Sequence, residues 1–554
     1  MKNWRINLIL ILLILFSATI IGRLIYLQIL NQELYKALAQ GQQKISKIVQ
    51  GERGEIFFRD GQILATNTNE KYVFISPREI EEKEETAKSL SGVLNLGEDF
   101  VLEKVKKDNL FEPIKYKITK EEEESLKKLN LTGVYLEEAN FRNYPQDSLA
   151  SQVVGFLGGE GKGQYGIEGY YNNVLQGEEK LQEEIKSPWG IGYLDKGVEK
   201  GYDIFLTLDY NIQFMAEKLL RQAGDNLGIE SGQIIVMNPN SGEIIALANF
   251  PEFNPNEYSE VEDINIFQNA AIQKIFEPGS VFKPITMAAA LEEEKITPQT
   301  TYVDKGVVEI GGWPIYNYNN GVWGQRTMTE VLEKSINTGA VFVEQQLDHN
   351  LFLKYIEKFG FFEPTGIDLK ETCPPNKELK EGREINFATA SFGQGIEMTP
   401  IQIARAFCAV ANGGKLVKPY IVKQISNSSE KREAQPEISE PIISPKTASQ
   451  LTAMLVSVVE NGYGKAAKIP GYYIAGKTGT AQISWSALDI DKNGYSDKTW
   501  QSFIGYTPAF DPKFLILVKL DNPKTKTAEY SAAPIFHDLA KYIINLWQIP
   551  PDHE

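Results

Sequence analysis

Ser280-Val-Phe-Lys283 is followed along the chain by Ser335-Ile-Asn337 and then by Lys477-Thr-Gly-Thr480. In that order the strings supply a hydroxyl nucleophile, an amine to take its proton, a second hydroxyl, a side-chain amide and a second amine. Those are the parts needed to acylate a serine with an amide-like carbonyl. A serine hydroxyl is a poor nucleophile until a base removes its proton, and a lysine is such a base only when neutral. Lys283 must therefore be buried or sit beside another cation. Phe276, Phe282 and Ile285 can bury it, and Lys477 can be the second cation. A spacing of three puts Ser280 and Lys283 on one helix face. Glu277-Pro278-Gly279 reads as a turn ahead of an apolar helical run over 281–291, which sets Ser280 at a helix N-terminus, where free N–H groups favour developing negative charge. Ser335 offers a proton relay and Asn337 an amide to hold a substrate backbone. Residues 474–481 read as a strand, in which Gly479 lets a peptide lie close to the edge. Lys477, Thr478 and Thr480 suit a substrate carboxylate. The backbone N–H groups of Ser280 and Thr480 are the candidate oxyanion donors. Ser-x-x-Lys recurs at Ser125–Lys128 and Ser428–Lys431, in charged or polar stretches with nothing to bury an amine.

A sheet and several helices must hold these groups together. Residues 232–237 and 243–249 read as a hairpin around Asn238-Pro-Asn-Ser-Gly242, and 472–482, 501–507 and 513–520 as three more strands. Residues 532–547 read as a terminal helix packed on that sheet. The helices carrying Ser280 and Ser335 fall between the first and third strands, so the site is expected where helices meet a sheet edge. Upstream, residues 51–200 alternate short β-like runs, an acidic, lysine-rich helical tract over 81–128 and glycine-rich stretches. They read as an extended spacer, with the charged tract as solvated helix faces. Residues 32–50 read as a polar helical stalk.

A chain of 554 residues is long enough for two to four domains, and 42% hydrophobic with 23% charged residues is a globular composition. The net charge of −16 argues against a nucleic-acid partner, which needs clustered basic surface. After Lys2 and Arg5, residues 6–22 carry no charge, and 24–30 remain mostly apolar beyond Arg23. The span approaches the ~20 residues a bilayer requires. An anchor is expected, with the short N-terminus cytoplasmic and everything after about residue 30 outside. Cys373 and Cys408 are too few for a disulfide scaffold; Cys408 reads as core and Cys373 as a loop residue, with pairing between them open. Asp489, Asp491, Asn493 and Asp497 have the spacing of a calcium loop, but Trp500 stands where a bidentate glutamate belongs. The three histidines have no ligand spacing, so no metal and no cofactor are expected.

With these motifs the chain resembles the class B penicillin-binding proteins. Arg53-Gly-Glu-Ile-Phe-Phe-Arg59-Asp60-Gly61 with Leu64-Ala65-Thr-Asn67, then Arg142-Asn-Tyr144-Pro145 with Leu149-Ala150 and Val154-Gly155, then Gly166-Ile-Glu168-Gly169, are similar to signatures of that family's non-catalytic pedestal. Gly201-Tyr-Asp203, Leu206-Thr207-Leu208-Asp209 and Ile212-Gln213 resemble the entry to its transpeptidase domain. Glu277-Pro-Gly-Ser280 and Phe392-Gly393-Gln394-Gly395-Ile-Glu-Met-Thr399-Pro400 are closer to the division-type (septal) branch than to the elongation-type branch. Ile336 stands where many relatives carry Asp, and Phe58 where a short polar step is commoner; neither touches the chemistry.

The resemblance implies a tail over 1–5, a transmembrane anchor over 6–28, an elongated α+β pedestal over 29–200 and an α/β transpeptidase domain over 201–554. The last would have a mostly antiparallel five-stranded sheet flanked by helices. It implies a peptidoglycan D,D-transpeptidase in which Ser280 attacks a D-Ala-D-Ala stem peptide, Lys283, Ser335, Asn337 and Lys477 assist, and Thr478, Gly479 and Thr480 bind substrate. β-Lactams would acylate Ser280, and the membrane partner would be a polytopic glycosyltransferase of wall synthesis. A β-lactam-hydrolysing relative would use the same three motifs but needs neither pedestal nor anchor. A non-catalytic scaffold would keep the fold but has no need of all five site residues.

Overall fold

A computed structural model describes residues 4–30, 44–187, 190–193 and 198–553, in two compact units: 1–53 with 176–201, and 54–175 with 202–554. In the first, a run of leucine and isoleucine forms the helix Trp4–Ile25, continued by a π-helical turn at Tyr26–Leu30. Ile6–Ile25 is long and apolar enough to cross a membrane. The helical stalk expected over 32–50 is corrected in its second half. Lys44–Gln50 is a strand, antiparallel to Glu179–Ser187, with Lys44 opposite Ile185 and Gln50 opposite Glu179. Ile45, Ile48 and Val49 favour extended backbone, and the partner strand lies too far along the chain to leave a local signal. Residues 31–43 lie outside the described residues.

The second unit begins with a seven-stranded sheet. Ile63–Ile75 is its long member, paired with Val134–Asn143 along its length and with Glu112–Lys115 near its end. The sheet continues through Ile56–Phe57 to Asp203–Leu206, which pairs in turn with Val422–Ser426. The tract over 81–128 is more than solvated helix faces. Its helices Lys83–Leu94, Glu98–Val105 and Lys120–Leu129 bury Leu90, Leu94, Val101, Val105 and Leu126 against Val73 and Ile75, and the strand Glu112–Lys115 interrupts them. The charges serve the rims: Thr119 and Glu122 form a reciprocal cap, and Glu122 also pairs with Lys115 at 2.6 Å.

A buried ion pair fastens this region. Arg142 Nε donates to Glu168 Oε1 at 2.6 Å and Nη1 donates to the Gly54 carbonyl at 2.8 Å and to Asn67 Oδ1 at 3.1 Å. Both charged side chains are out of solvent, at 3% and 0% exposure. The three stretches noted in the sequence for their resemblance to pedestal signatures thus meet on one guanidinium, whose rigid fork can serve three acceptors at once.

The second sheet is antiparallel throughout, in the spatial order Ile244–Phe250, Ser231–Met237, Phe514–Asp521, Tyr495–Thr507, Ala475–Ser484. Side chains alternate between two cores: Ile235, Met237, Ile504, Leu515 and Leu517 on one face, Ile234, Val236, Phe503, Ile516 and Val518 on the other. With both faces covered, Ser231–Met237 and Phe514–Asp521 carry unbroken apolar runs at 234–237 and 514–518. Tyr210–Leu227 and Ala532–Trp547 cover the second face, and Pro400–Ala411 and Pro445–Asn461 cover the first. The strand expected over 501–507 starts six residues earlier, because Ser484 and Gln482 pair with Tyr495 and Thr499 in a hairpin that outruns the sheet. The Asp489–Asn493 stretch is at its tip, while Trp500 packs edge-on against Phe276. Cys408 is buried in the helix Pro400–Ala411, and both cysteines are free.

Candidate active site

Ser280 sits in a 3-10 turn, Gly279–Phe282, that runs directly into the helix Lys283–Glu292. Two glycines make the turn possible. Gly279 has φ +58° and donates its N–H to the Gly393 carbonyl at 2.9 Å. Gly393 has φ +83°, and a Cβ there would stand 2.1 Å from the Gly279 oxygen. Ser335 falls between the helices Met328–Glu333 and Asn337–Glu344 with φ +52°, a left-handed conformation that a serine holds only when its surroundings impose it.

The three strings converge on the Lys283 amine and the Ser335 hydroxyl beside it. Its Nζ lies 3.0 Å from Ser280 Oγ, 2.8 Å from Asn337 Oδ1, 3.1 Å from Ser335 Oγ and 2.6 Å from the Ser335 carbonyl. Lys477 Nζ donates to Ser335 Oγ at 3.0 Å and to the Thr478 carbonyl at 3.0 Å. Ser335 Oγ therefore lies between two amines. Both lysines are fully buried. Burial first, and the Lys477 charge second, hold the Lys283 pKa well below the ordinary lysine value. Burial alone brings Lys477 down to about 7. Four oxygens surround Lys283, more than an ammonium has protons. At least one of these groups is therefore not served by a Lys283 proton, and a neutral amine there has a lone pair to offer the Ser280 or Ser335 hydroxyl.

Strand alternation divides the roles of the Lys477 string differently from what the sequence suggests. Thr478, Thr480 and Gln482 line a cleft of about 700 Å³ together with Ser280, Ser335 and Asn337. Lys477 leaves the strand on the other face from Thr478 and Thr480, and its amine is engaged by Ser335 Oγ and the Thr478 carbonyl. Gly479 faces the same inner side. A Cβ there would lie 2.5 Å from Ser502 Oγ, 2.9 Å from Val281 and 3.0 Å from the Pro278 carbonyl. Glycine is required by the contact between strand and Ser280 turn, before any ligand is considered.

Several residues of the site leave no mark in its motifs. Asp304 accepts from Thr338 Oγ1 at 2.7 Å, Asn317 Nδ2 at 3.0 Å and the Trp323 N–H at 2.7 Å. Burial pushes its carboxyl up, but those donors outweigh burial and hold it below its usual value. Asn317 Oδ1 takes the Thr338 N–H at 3.0 Å, and Asn337 Nδ2 donates to the Tyr316 carbonyl at 3.0 Å. A pair of short hairpins thereby fixes the Ser335–Asn337 turn. Glu277 accepts from Tyr495 Oη at 3.0 Å and from the Gly395 N–H at 3.2 Å, and burial raises it to about 7. Only adjacency to Ser280 could have drawn attention to Glu277. Asp304 and Asn317 carry no sequence signal at all.

A family model described as the penicillin binding protein transpeptidase domain matches residues 232–541, and one described as the penicillin-binding protein dimerisation domain matches residues 48–190. The chain is 35% identical over 536 residues to Stage V sporulation protein D of Bacillus subtilis (strain 168), covering 94% of this chain and 82% of that one. It is 31% identical over 567 residues to the probable peptidoglycan D,D-transpeptidase PbpC of Pseudomonas aeruginosa, covering 100% and 97%. Among solved structures, penicillin binding protein 3 from Mycobacterium tuberculosis superposes with a TM-score of 0.70 at 26% identity, over 91% of this chain and 98% of the other.

Proposed function

This chain belongs to the penicillin-binding protein transpeptidase family, and from that premise we propose that it is a serine-type peptidoglycan D,D-transpeptidase of the class B kind. Neutral Lys283 takes the Ser280 proton as Oγ attacks the penultimate D-Ala carbonyl of a stem peptide. The N–H groups of Ser280 and Thr480 receive the oxyanion, each worth ~3 kcal/mol in such a role. The tetrahedral adduct collapses, the C–N bond breaks, and the departing D-Ala amine takes a proton relayed through Ser335 between the two lysines. An amine of a neighbouring stem peptide then attacks the acyl-enzyme, gives its proton back through Lys283 and frees Ser280. Asn337 holds the donor backbone and the Thr478–Thr480 edge holds its carboxylate. The observation that carries this mechanism is Lys283 Nζ at 3.0 Å from Ser280 Oγ, fully buried. Among the described residues neither lysine forms an ion pair.

We infer a pedestal over 29–200 and a catalytic domain over 201–554, supported by the separate matches at 48–190 and 232–541. Lys2 and Arg5 ahead of the apolar helix support a cytoplasmic N-terminus with the catalytic domain outside. A polytopic glycosyltransferase in the same membrane is the partner that would supply uncross-linked strands. A role in division is supported by the Glu277-Pro-Gly-Ser280 string.

The direct test is incubation of the full chain in detergent with labelled penicillin, followed by peptide mapping. The adduct is expected on the Ser280 peptide and is expected to vanish in Ser280→Ala. Label elsewhere, or none on folded protein, overturns the assignment. Gly479→Ala is expected to slow acylation about a hundredfold, the size of effect a ~1 Å displacement of a reacting group produces. An unchanged second-order labelling rate would show that the strand and the Ser280 turn can separate freely.

A further inference from the structure

The segment ahead of Ser280 is strapped to residues 393–398 at three points. Phe276 and Met398 exchange N–H···O bonds at 2.9 and 3.1 Å, and Gly279 donates to the Gly393 carbonyl at 2.9 Å. Between them Pro278 has no N–H to offer, and a side chain makes the third contact: Glu277 Oε1 accepts the Gly395 N–H at 3.2 Å. The same carboxyl reaches another element. Tyr495 Oη donates to Glu277 Oε2 at 3.0 Å. Tyr495 opens the strand Tyr495–Thr507 and pairs with Ser484, at the far end of the strand that carries Lys477, Thr478 and Thr480.

Glu277 is 9% exposed and is not among the described residues that line the Ser280 cleft, so it stands behind the cleft, out of a substrate's reach. Burial first, and the like charge of Glu397 after it, push its carboxyl up to about 7. Near neutral pH both protonation states are therefore populated, and the bridge does not rest on charge. What rests on the bridge is the closeness of the two segments it ties. A Cβ on Gly279 would stand 2.9 Å from the Ala481 Cβ, and one on Gly479 3.0 Å from the Pro278 carbonyl. The Ser280 and Thr480 N–H groups leave those same two segments.

We propose that Glu277 is a positioning residue for acyl transfer: its carboxyl clamps the Ser280 turn to the Lys477–Thr480 strand and so fixes the separation of the two oxyanion donors. The role rests on the transpeptidase assignment. Oxyanion donors are worth most when they are in place before charge develops. Here one donor leaves a turn framed by Gly279 and Gly393, at φ +58° and +83°, and glycine backbone has little stiffness of its own. The clamp supplies that stiffness from outside the cleft. Glutamine has the shape to make both contacts, accepting from Gly395 with its oxygen and donating to Tyr495 Oη with its nitrogen. Alanine makes neither.

Acylation of the full chain in detergent by fluorescent penicillin, followed to saturation, separates the limiting rate from the affinity of the first complex. Glu277→Ala should lower the limiting rate about 10- to 100-fold and leave that affinity unchanged, as when donors used only in the transition state are displaced by up to ~1 Å. Tyr495→Phe should lower it about three- to tenfold, the size of one hydrogen bond. Glu277→Gln should hold it within about threefold of the parent, since the amide keeps both contacts. Glu277→Ala/Tyr495→Phe should be no slower than Glu277→Ala alone, because the two residues act through one contact. An unchanged limiting rate in Glu277→Ala, a loss confined to affinity, a glutamine as slow as alanine, or additive effects in the double variant overturns the clamp. Unfolding midpoints accompany each variant. Should Glu277→Ala not fold, Tyr495→Phe decides, and an unchanged limiting rate there overturns the clamp. Failure of the unsubstituted chain to label at Ser280 removes the transpeptidase assignment instead, and this role with it.

Discussion

Lys283→Ala is expected to reduce the second-order rate of acylation by labelled penicillin about a thousand- to ten-thousandfold, the contribution of a well-placed general base. The fold should survive, because the change removes a buried amine while leaving Ser280 in its glycine-framed turn. Retained acylation within tenfold of the parent would remove Lys283 from the base role. The pH profile gives the same proposal a sign. The working form of Lys283 is the neutral amine, so acylation should rise with pH as its proton leaves and fall as pH drops through its lowered pKa. Burial is the larger cause of that lowering and the Lys477 charge the smaller. In Lys477→Gln the acid limb should therefore move to higher pH, because a neighbouring cation no longer opposes protonation. An unmoved or downward-shifted limb would show that the two amines do not share their charge.

Arg142→Ala should destabilise the fold by about 3–5 kcal/mol, the cost of breaking a buried ion pair from one side. Glu168, fully buried, would lose its ion pair with Arg142 while keeping the Tyr144 hydroxyl, and the Gly54 carbonyl and Asn67 would each lose a donor. Calorimetric or urea unfolding of the full chain reads the loss directly. A second variant separates charge from packing: Arg142→Leu/Glu168→Leu should recover at least half of it, since no isolated buried charge remains. A loss below about 1 kcal/mol, the ordinary worth of an exposed pair, would mean that water reaches the site.

What the sequence could show followed from local rules. The Ser280 turn is legible because glycine, a three-residue spacing and an apolar run each carry meaning within ten residues. The order of the three strings, the five strands of the catalytic sheet and the apolar N-terminal helix are legible for the same reason: periodicity and backbone chemistry act over one element at a time. The tract over 81–128 shows where such rules fail. Its charges are plain, but the few leucines and valines that build a core become meaningful only when Val73 and Ile75 come beneath them.

Lys283 and Lys477 reach one serine from segments almost 200 residues apart, and only the packed sheet and helices could bring them there. Strand parity turned Lys477 and Gly479 inward and left Thr478 and Thr480 on the cleft, a distinction carried by the side of a pleat and invisible in residue types. Asp304 and Asn317 owe their roles to neighbours distant in the chain. Sequence fixes which groups are present and how each element is patterned, whereas desolvation, register and the pairing of buried donors with acceptors arise only when the chain closes on itself.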